Sequence, residues 1–325
     1  MRVRFDRGIH LPDLDLWLDP QSRRPLAFVS HAHADHIGRH DHVIATPATA
    51  AMMRLRRGVG SRFRAVEFRR PYRLGDATVT LLPAGHILGS AQVLVEHGGK
   101  RLLYSGDFKL RSGRSAEAAE VPETDVLIME STFGRPRYRF PPAEETVSAI
   151  RTFCEGALDA GETPVLLCYS LGKSQELLAW LDGLDDRLWL HPTHAEMASL
   201  YRSLGVTLPR YRILAPGAPP ERGIILCAAG CRRTHWFTRI RRPRTAYVSG
   251  WAMDSRAAFR FDCDACFPLS DHADYDELLE YARRTGAQEI HTVHGFASEF
   301  AGDLRNRGYH ARALGEPEIQ LSLAL

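Results

Sequence analysis

The stretch that most constrains this 325-residue chain is AFVSHAHADHIGRH, residues 27–40. An apolar run, Ala27, Phe28 and Val29, reads as a buried strand. It delivers His31, His33, Asp35 and His36 within six positions. Neutral imidazole and ionised carboxylate are the ligands that zinc and manganese accept. An irregular loop opening a helix can point His31 with His33, and Asp35 with His36, at two separate centres. The free N–H groups of that helix N-terminus would suit an anionic substrate. Three histidines this close behind an apolar strand are improbable for a solvated surface run.

One loop cannot complete two metal shells. Other ligand types stand at the ends of apolar runs: His86 in LLPAGHILGS, Asp107 in LLYSGDF and His294 in IHTVHG. An aspartate can bridge two ions through its two oxygens, which makes Asp107 the natural shared ligand. His291 lies on the opposite face of its strand from His294, which argues against ligation. The other histidines, 10, 40, 42, 97, 191, 194, 235 and 310, read as structural or solvated.

The first third of the chain reads as short strands joined by turns and short helices: LWLDP, LAFVSH, HVIATP, VTLLPAGH, AQVLVEH, RLLYSGD and DVLIMEST. Several end in a polar residue, as in α/β scaffolds that present chemistry at strand ends. After Glu130 the pattern becomes β-α alternation. PPAEETVSAIRTFCEGALDAG predicts an amphipathic helix, acidic in its first turn and stopped by Gly161. TPVLLCYSLG, RLWLHP, GIILCAAG and TAYVSGWAM predict strands, with helices over KSQELLAWLDGL and THAEMASLYRSLG, so a parallel sheet is expected. CFPLSDHADYDELLEYARRTG predicts strand, loop and helix, and GYHARALGEPEIQLSL closing strands. Polar clusters flank the alternating region, the layout of one domain inserted into another.

Composition narrows the setting. No charged-then-apolar leader opens the chain and no apolar run approaches the roughly 18 residues that span a bilayer. A soluble, cytoplasmic protein without membrane partners is expected. The six cysteines are scattered; CDAC at 263–266 is one CxxC without a second pair, so reduced thiols are expected. The net charge of +3 excludes a uniform polycation, although Lys stands only at 100, 109 and 173 and the remaining basic residues are Arg. Arg suits bidentate phosphate contacts. Arg-rich segments with aromatics, at 230–244 and 52–73, would suit a single strand of nucleic acid.

The order Asp19, HxHxDH at 31–36, His86 and Asp107 resembles the signature of the metallo-β-lactamase fold. Glu130 in MESTFG, YSLGKSQELL at 169–178, His272 in LSDHADYDEL and His294 in TVHG resemble its nucleic-acid-processing branch, the β-CASP nucleases. The resemblance implies a metallo-β-lactamase αββα sandwich, residues 1–134 and 263–325, with an inserted β-CASP α/β domain at 135–262. It also implies two divalent ions, zinc or manganese. His31, His33, His86 and Asp107 would hold one; Asp35, His36, Asp107 and His294 would hold the other. Asp19 would orient the histidine loop. Asp35, Glu130 and His272 make up the implied catalytic set, Glu130 positioning His272 and His272 assisting the leaving oxygen. A general acid of that kind adds about 10²- to 10⁴-fold.

Compact size, a retained His294 and SGWAM at 249–253 resemble most the bacterial ligase-associated DNA exonucleases. Those are linked in repair with an ATP-dependent ligase, a helicase and a phosphoesterase. The expected substrate is therefore DNA, the alternative being RNA processing as in ribonuclease J or the mRNA 3′-end endonuclease. Ser170 and Lys173 at a helix start, and Arg135 and Arg137 beyond Glu130, are the candidate substrate contacts. Lactam or thiol-ester hydrolysis leaves Glu130 and His272 unexplained. A non-catalytic subunit would lack ligands that are all present here.

Overall fold

The computed structural model of the chain describes residues 1–6, 8–57, 62–215 and 222–315. Six short strands between Arg4 and Ala65 form a first sheet in chain order. A seven-stranded sheet packs on it, running Tyr72–Leu74, Ala77–Pro83, Ala91–His97, Lys100–Tyr104, Val126–Glu130, Glu289–Val293 and His310–Ala313. Alternating apolar residues from the two sheets, among them Leu11, Leu16 and Phe28 against Val79, Val93 and Tyr104, bury one core. Helices Tyr275–Thr285 and Ala297–Asn306 cover the outer face of the second sheet through Leu278, Tyr281, Phe300 and Leu304. Helix Pro47–Arg57 covers the first sheet with Met52 and Met53. This is the expected sandwich of two sheets between helices.

A third sheet lies in sequence between Val126–Glu130 and Glu289–Val293. Its six strands, in the order Arg212–Ile213, Leu188–Leu190, Ile224–Cys227, Thr163–Leu167, Pro243–Val248 and Ala265–Phe267, are all parallel. Thr163–Leu167 and Ile224–Cys227 are buried along their whole lengths, which is why they read as unbroken apolar runs. Ala265–Phe267 pairs with Pro243–Val248, so the third sheet extends past the expected boundary at 262.

The helices carry the stop signals read from the sequence. Ala143–Asp159 has Glu144 and Glu145 in its first turn, and Gly161 follows at φ +67°. Tyr275–Thr285 starts in a reciprocal cap between Asp274 and Glu277 and ends at Gly286, φ +63°. One expectation is corrected. His31–His36 does not open a helix; it closes as a turn in which the His36 N–H donates to the His33 carbonyl at 3.1 Å. The chain then turns back at Gly38, where a Cβ would stand 2.9 Å from the Pro20 carbonyl oxygen and 2.6 Å from the His40 ring. The expected closing strand forms at His310–Ala313; its continuation over 316–323 lies outside the described residues.

An apolar cluster spans the two parts. Val29, Ile37, Ile87 and Leu88 from the sandwich pack with Leu166, Leu171, Leu177 and Val248 from the third-sheet region. That contact brings the C-terminal ends of strands Thr163–Leu167, Pro243–Val248 and Ala265–Phe267 towards the histidine loop.

Candidate metal centre

Strand Leu26–Phe28 ends beneath the loop, and Asp19, at φ +43°, sits behind it. Asp19 accepts hydrogen bonds from the Ser30 amide (2.7 Å), the Ser30 hydroxyl (2.5 Å), the Tyr104 hydroxyl (2.8 Å) and His36 Nδ1 (2.8 Å). Ser30 Oγ, having donated to Asp19, accepts from His31 Nδ1 at 2.9 Å. His33 Nε2 faces the Leu171 carbonyl at 3.1 Å, and His86 Nδ1 faces the Asp271 carbonyl at 2.9 Å. His31, His33 and His86 therefore each donate one N–H outward, which fixes the tautomer and leaves the other nitrogen with a lone pair, while His36 gives its Nδ1–H to Asp19.

Those lone pairs converge. His31 Nε2 and His86 Nε2 lie 3.1 and 3.0 Å from His33 Nδ1. Asp107 Oδ2 lies 3.3 Å from His36 Nε2, 3.5 Å from His31 Nε2 and 3.8 Å from His86 Nε2. With the outward tautomers in place, no proton stands between the inward nitrogens of His31, His33 and His86. Such a group of buried acceptors calls for a cation, and imidazole with carboxylate fits zinc or manganese. The ligand atoms of His31, His33, His86 and Asp107 all lie within 4.8 Å of one another. Burial, the largest influence on each, pushes His31, His33 and His86 towards the neutral form that ligates. His36 goes the other way: burial lowers it, but the carboxylates of Asp107 and Asp19 raise it well above an ordinary histidine.

The second set is more open. His36 Nε2 is 3.9 Å from Asp35 Oδ2, and the His36 and His294 rings are 5.3 Å apart. Asp35 and His294 are exposed, and His294 adopts φ +60° just past the end of its strand. His291 is not part of either set: it is buried against Glu289, 3.0 Å away, and Arg312.

His272 closes the far side of the cluster, its ring 4.5 Å from that of His86. Its Nδ1 lies 3.1 Å from both oxygens of Glu130. Glu130 is wholly buried and accepts from the Phe108 amide at 2.8 Å. Burial alone lowers His272, but the charges of Glu130 and Asp107 outweigh it and raise the imidazole to about 9. Near neutral pH this ring carries a proton, with Nε2 on the edge away from Glu130.

The cleft beside the cluster has a volume of about 520 Å³. Its walls come from both parts of the fold: Asp35, His36 and His294 on one side, Tyr169, Trp251 and Asp271 on the other, with Phe133 between. Tyr169 is 61% exposed. The aromatic wall and Asp271 were not singled out from the sequence, although all four residues fall within motifs that were; their neighbourhood to His272 was the available signal.

The candidate substrate contacts fare differently. Lys173 lines the cleft, but its ammonium is buried 2.7 Å from Asp271 Oδ1 and so is not free for phosphate. Ser170 offers its carbonyl to Gln175 within the helix start. Arg135 and Arg137 do not line the cleft: Arg135 pairs with Glu299, and Arg137 with the Tyr138 hydroxyl at 2.8 Å and Asp254 at 3.6 Å. In the segment 230–244, Arg232 pairs with Asp262, and Arg242 and Arg244 with Glu162. The segment 52–73 is described only in part. Cys263 and Cys266 are free thiols with sulfurs 3.4 Å apart, and no candidate metal cluster among the described residues includes a cysteine.

Residues 17–167 match the family model of the Beta-lactamase superfamily domain. The chain carries a β-lactamase superfamily domain. Beyond that domain, the whole chain is 45% identical to a protein named "Probable DNA ligase" from Opitutus terrae, over 99% of this chain and 32% of that protein. It is 34% identical to "Endoribonuclease ysh1" of Aspergillus fumigatus, over 42% of this chain and 15% of the relative. It is 37% identical to "Cleavage and polyadenylation specificity factor 73" of Drosophila melanogaster, over 30% of this chain and 14% of the relative. The chain thus spans a third or less of the length of each of these relatives. A crystal structure of a protein of unknown function from Enterococcus faecalis shares the fold, with a TM-score of 0.60 at 16% identity over 89% of this chain and 79% of that one. The metallo-β-lactamase family typically binds divalent metals, and His31, His33, His86 and Asp107 here form a cluster that could hold one. No helix among the described residues is long and apolar enough to cross a membrane.

Proposed function

We propose that the chain is a two-metal phosphodiesterase of the β-CASP type, a DNA exonuclease acting in repair alongside an ATP-dependent ligase. The observation that carries this reading is His272, held at 3.1 Å by the buried carboxylate of Glu130, next to Asp107 and lining the cleft. A proton donor in that place serves the expulsion of a nucleotide oxygen, and the likeness of Glu130 and His272 to the nuclease branch is what lactam hydrolysis leaves unexplained.

In this reading His31, His33, His86 and Asp107 hold the first ion, and Asp35, His36, Asp107 and His294 the second. The ions, when bound, supply Lewis acidity against the charge that develops on a phosphodiester. Asp19 keeps the histidine loop in register. Glu130 accepts the Nδ1–H of His272 and keeps the ring charged, and His272 offers its Nε2 proton to the departing oxygen. Tyr169 and Trp251 give the cleft faces on which bases can stack, with the buried Phe133 ring packed behind Trp251. A unit built on the third sheet, from 135 to just past Phe267, forms the second wall.

DNA is favoured because the similarity to the protein named as a ligase covers 99% of this chain, against 42% for the first endoribonuclease. RNA processing is the second reading, supported by the likeness to the endoribonuclease over 42% of the chain. One gel separates them. Purified protein with manganese or zinc meets single-stranded DNA and RNA of the same sequence, each labelled at either end. Stepwise shortening of DNA, lost in His272→Ala, is expected; internal cuts or preferential loss of RNA would replace this reading with the second.

A further inference from the structure

Lys173 and Asp271 belong to neither ligand set, yet both are buried and they face each other, Nζ to Oδ1 at 2.7 Å with side-chain exposures of 3% and 8%. They stand on two different loops. Lys173 opens helix Lys173–Trp180, two residues after Leu171; Asp271 immediately precedes His272. These are the loops that supply the backbone acceptors of the first centre. The Leu171 carbonyl takes His33 Nε2–H at 3.1 Å, and the Asp271 carbonyl takes His86 Nδ1–H at 2.9 Å.

We infer that the Lys173–Asp271 ion pair is a clasp that positions these two carbonyls, and through them His33 and His86, and so sets the affinity of the first centre for its ion. The inference rests on the metal-binding reading above. Stability does not account for the pair, since a buried ion pair seldom exceeds two packed apolar side chains in net contribution. What the pair does provide is one fixed separation between two loops about a hundred residues apart in sequence.

The surroundings make that separation matter. Gly172, between Leu171 and Lys173, has φ +84°, and a Cβ there would lie 2.3 Å from Ile87 Cγ2. Ile87 is the neighbour of His86. One turn further on, Glu176 accepts from the amides of Arg114 and Ser115 and from the Ser115 hydroxyl. The start of the helix is thus seated against the sandwich, and the Asp271 loop is held to it by the clasp. Lys109 also stands near Asp271 but follows Asp107 on the sandwich, so it does not link the two carbonyl-bearing loops. An acceptor that drifts lets its imidazole rotate, and loss of such outer partners typically weakens metal binding about 10- to 100-fold.

The test titrates zinc into metal-free protein against a chelating dye. Lys173→Met and Asp271→Asn are expected to weaken the first zinc site about 10- to 100-fold, and Lys173→Arg to restore part of the loss. Each single change leaves a buried charge alone and can unfold the protein. The double variant Lys173→Met/Asp271→Leu leaves none, and its metal-free form is expected to unfold at or above the wild-type temperature while zinc affinity stays weakened. Wild-type affinity in that folded variant would overturn the clasp. In the unaltered protein, zinc is expected to slow amide hydrogen exchange at residues 171–176 and 270–274 together with the histidine loop. A response confined to the loop would also overturn it. If the wild type binds no zinc or manganese at all, it is the two-metal reading that fails.

Discussion

Glu130→Gln isolates the charge behind His272. The substitution keeps the shape of the side chain and an acceptor for the Phe108 amide at 2.8 Å, but removes the negative charge 3.1 Å from His272 Nδ1. Burial drives this imidazole towards neutrality, and Glu130 followed by Asp107 reverses that, raising it from 6.5 to about 9. The difference corresponds to about 3 kcal/mol of added preference for the imidazolium. Without Glu130 the midpoint falls, because burial is then opposed chiefly by Asp107 alone, and a smaller share of the molecules keeps the proton at pH 7.5. The value of kcat/KM on end-labelled single-stranded DNA is therefore expected to drop at pH 7.5, by no more than the about 10²- to 10⁴-fold that a general acid contributes, with a smaller loss near pH 6. The alkaline limb of the pH–rate profile should move to lower pH. A variant whose alkaline limb coincides with that of the wild type refutes the role given to this pair. The metal-free protein gives a second reading of the same charge. Because the folded midpoint is raised, the stabilisation is complete below pH 6.5 and fades as pH rises through about 9. The urea midpoint of the wild type should decline across that window and that of Glu130→Gln should not.

Asp107→Asn removes the charge shared by His31, His36 and His86. Elemental analysis after metal loading is expected to fall from about two ions per chain to below one, and retention of both would show that Asp107 is not the bridge. Gly172→Ala places a methyl 2.3 Å from Ile87 at φ +84°, and a loss of about 2 to 4 kcal/mol in urea unfolding is expected. An unchanged midpoint would mean that the loop between the two parts of the fold is not tightly seated.

What was legible in the sequence was chemistry carried by side chains at strand ends. His31, His33, His86 and Asp107 come together because each follows an apolar run that must be buried, and the runs share two packed sheets. The helix Ala143–Asp159 was legible for a similar local reason, its acidic start and glycine stop. The turn at His33–His36 was not, because the close approach of Gly38 to Pro20 and His40 overrides the local preference for a helix. Helix Ala297–Asn306 was missed; it packs Phe300, Ala301 and Leu304 on the second sheet, but its short sequence carries several small and polar residues and no side-chain cap. The acceptors of His33 and His86 were out of reach on principle: a backbone carbonyl is common to every residue type, so no letter in the sequence marks Leu171 or Asp271 for that task. The same holds for Lys173. Its place at a helix start suggested a phosphate contact, and only the fold shows Asp271 opposite it.

The path of the chain around the first centre has a consequence for the order in which the protein is made. His31 and His33 emerge from the ribosome before His86 and Asp107, the Leu171 carbonyl follows, and the Asp271 carbonyl and His272 come after all of these. Loop closure over such separations is slow compared with local helix formation. A nascent chain bearing only the histidine loop can touch a metal ion but lacks the acceptors that hold His33 and His86 in place. Tight metal capture therefore waits for the Asp271 loop, and a loaded centre reports a chain in which that loop has docked on the histidine loop.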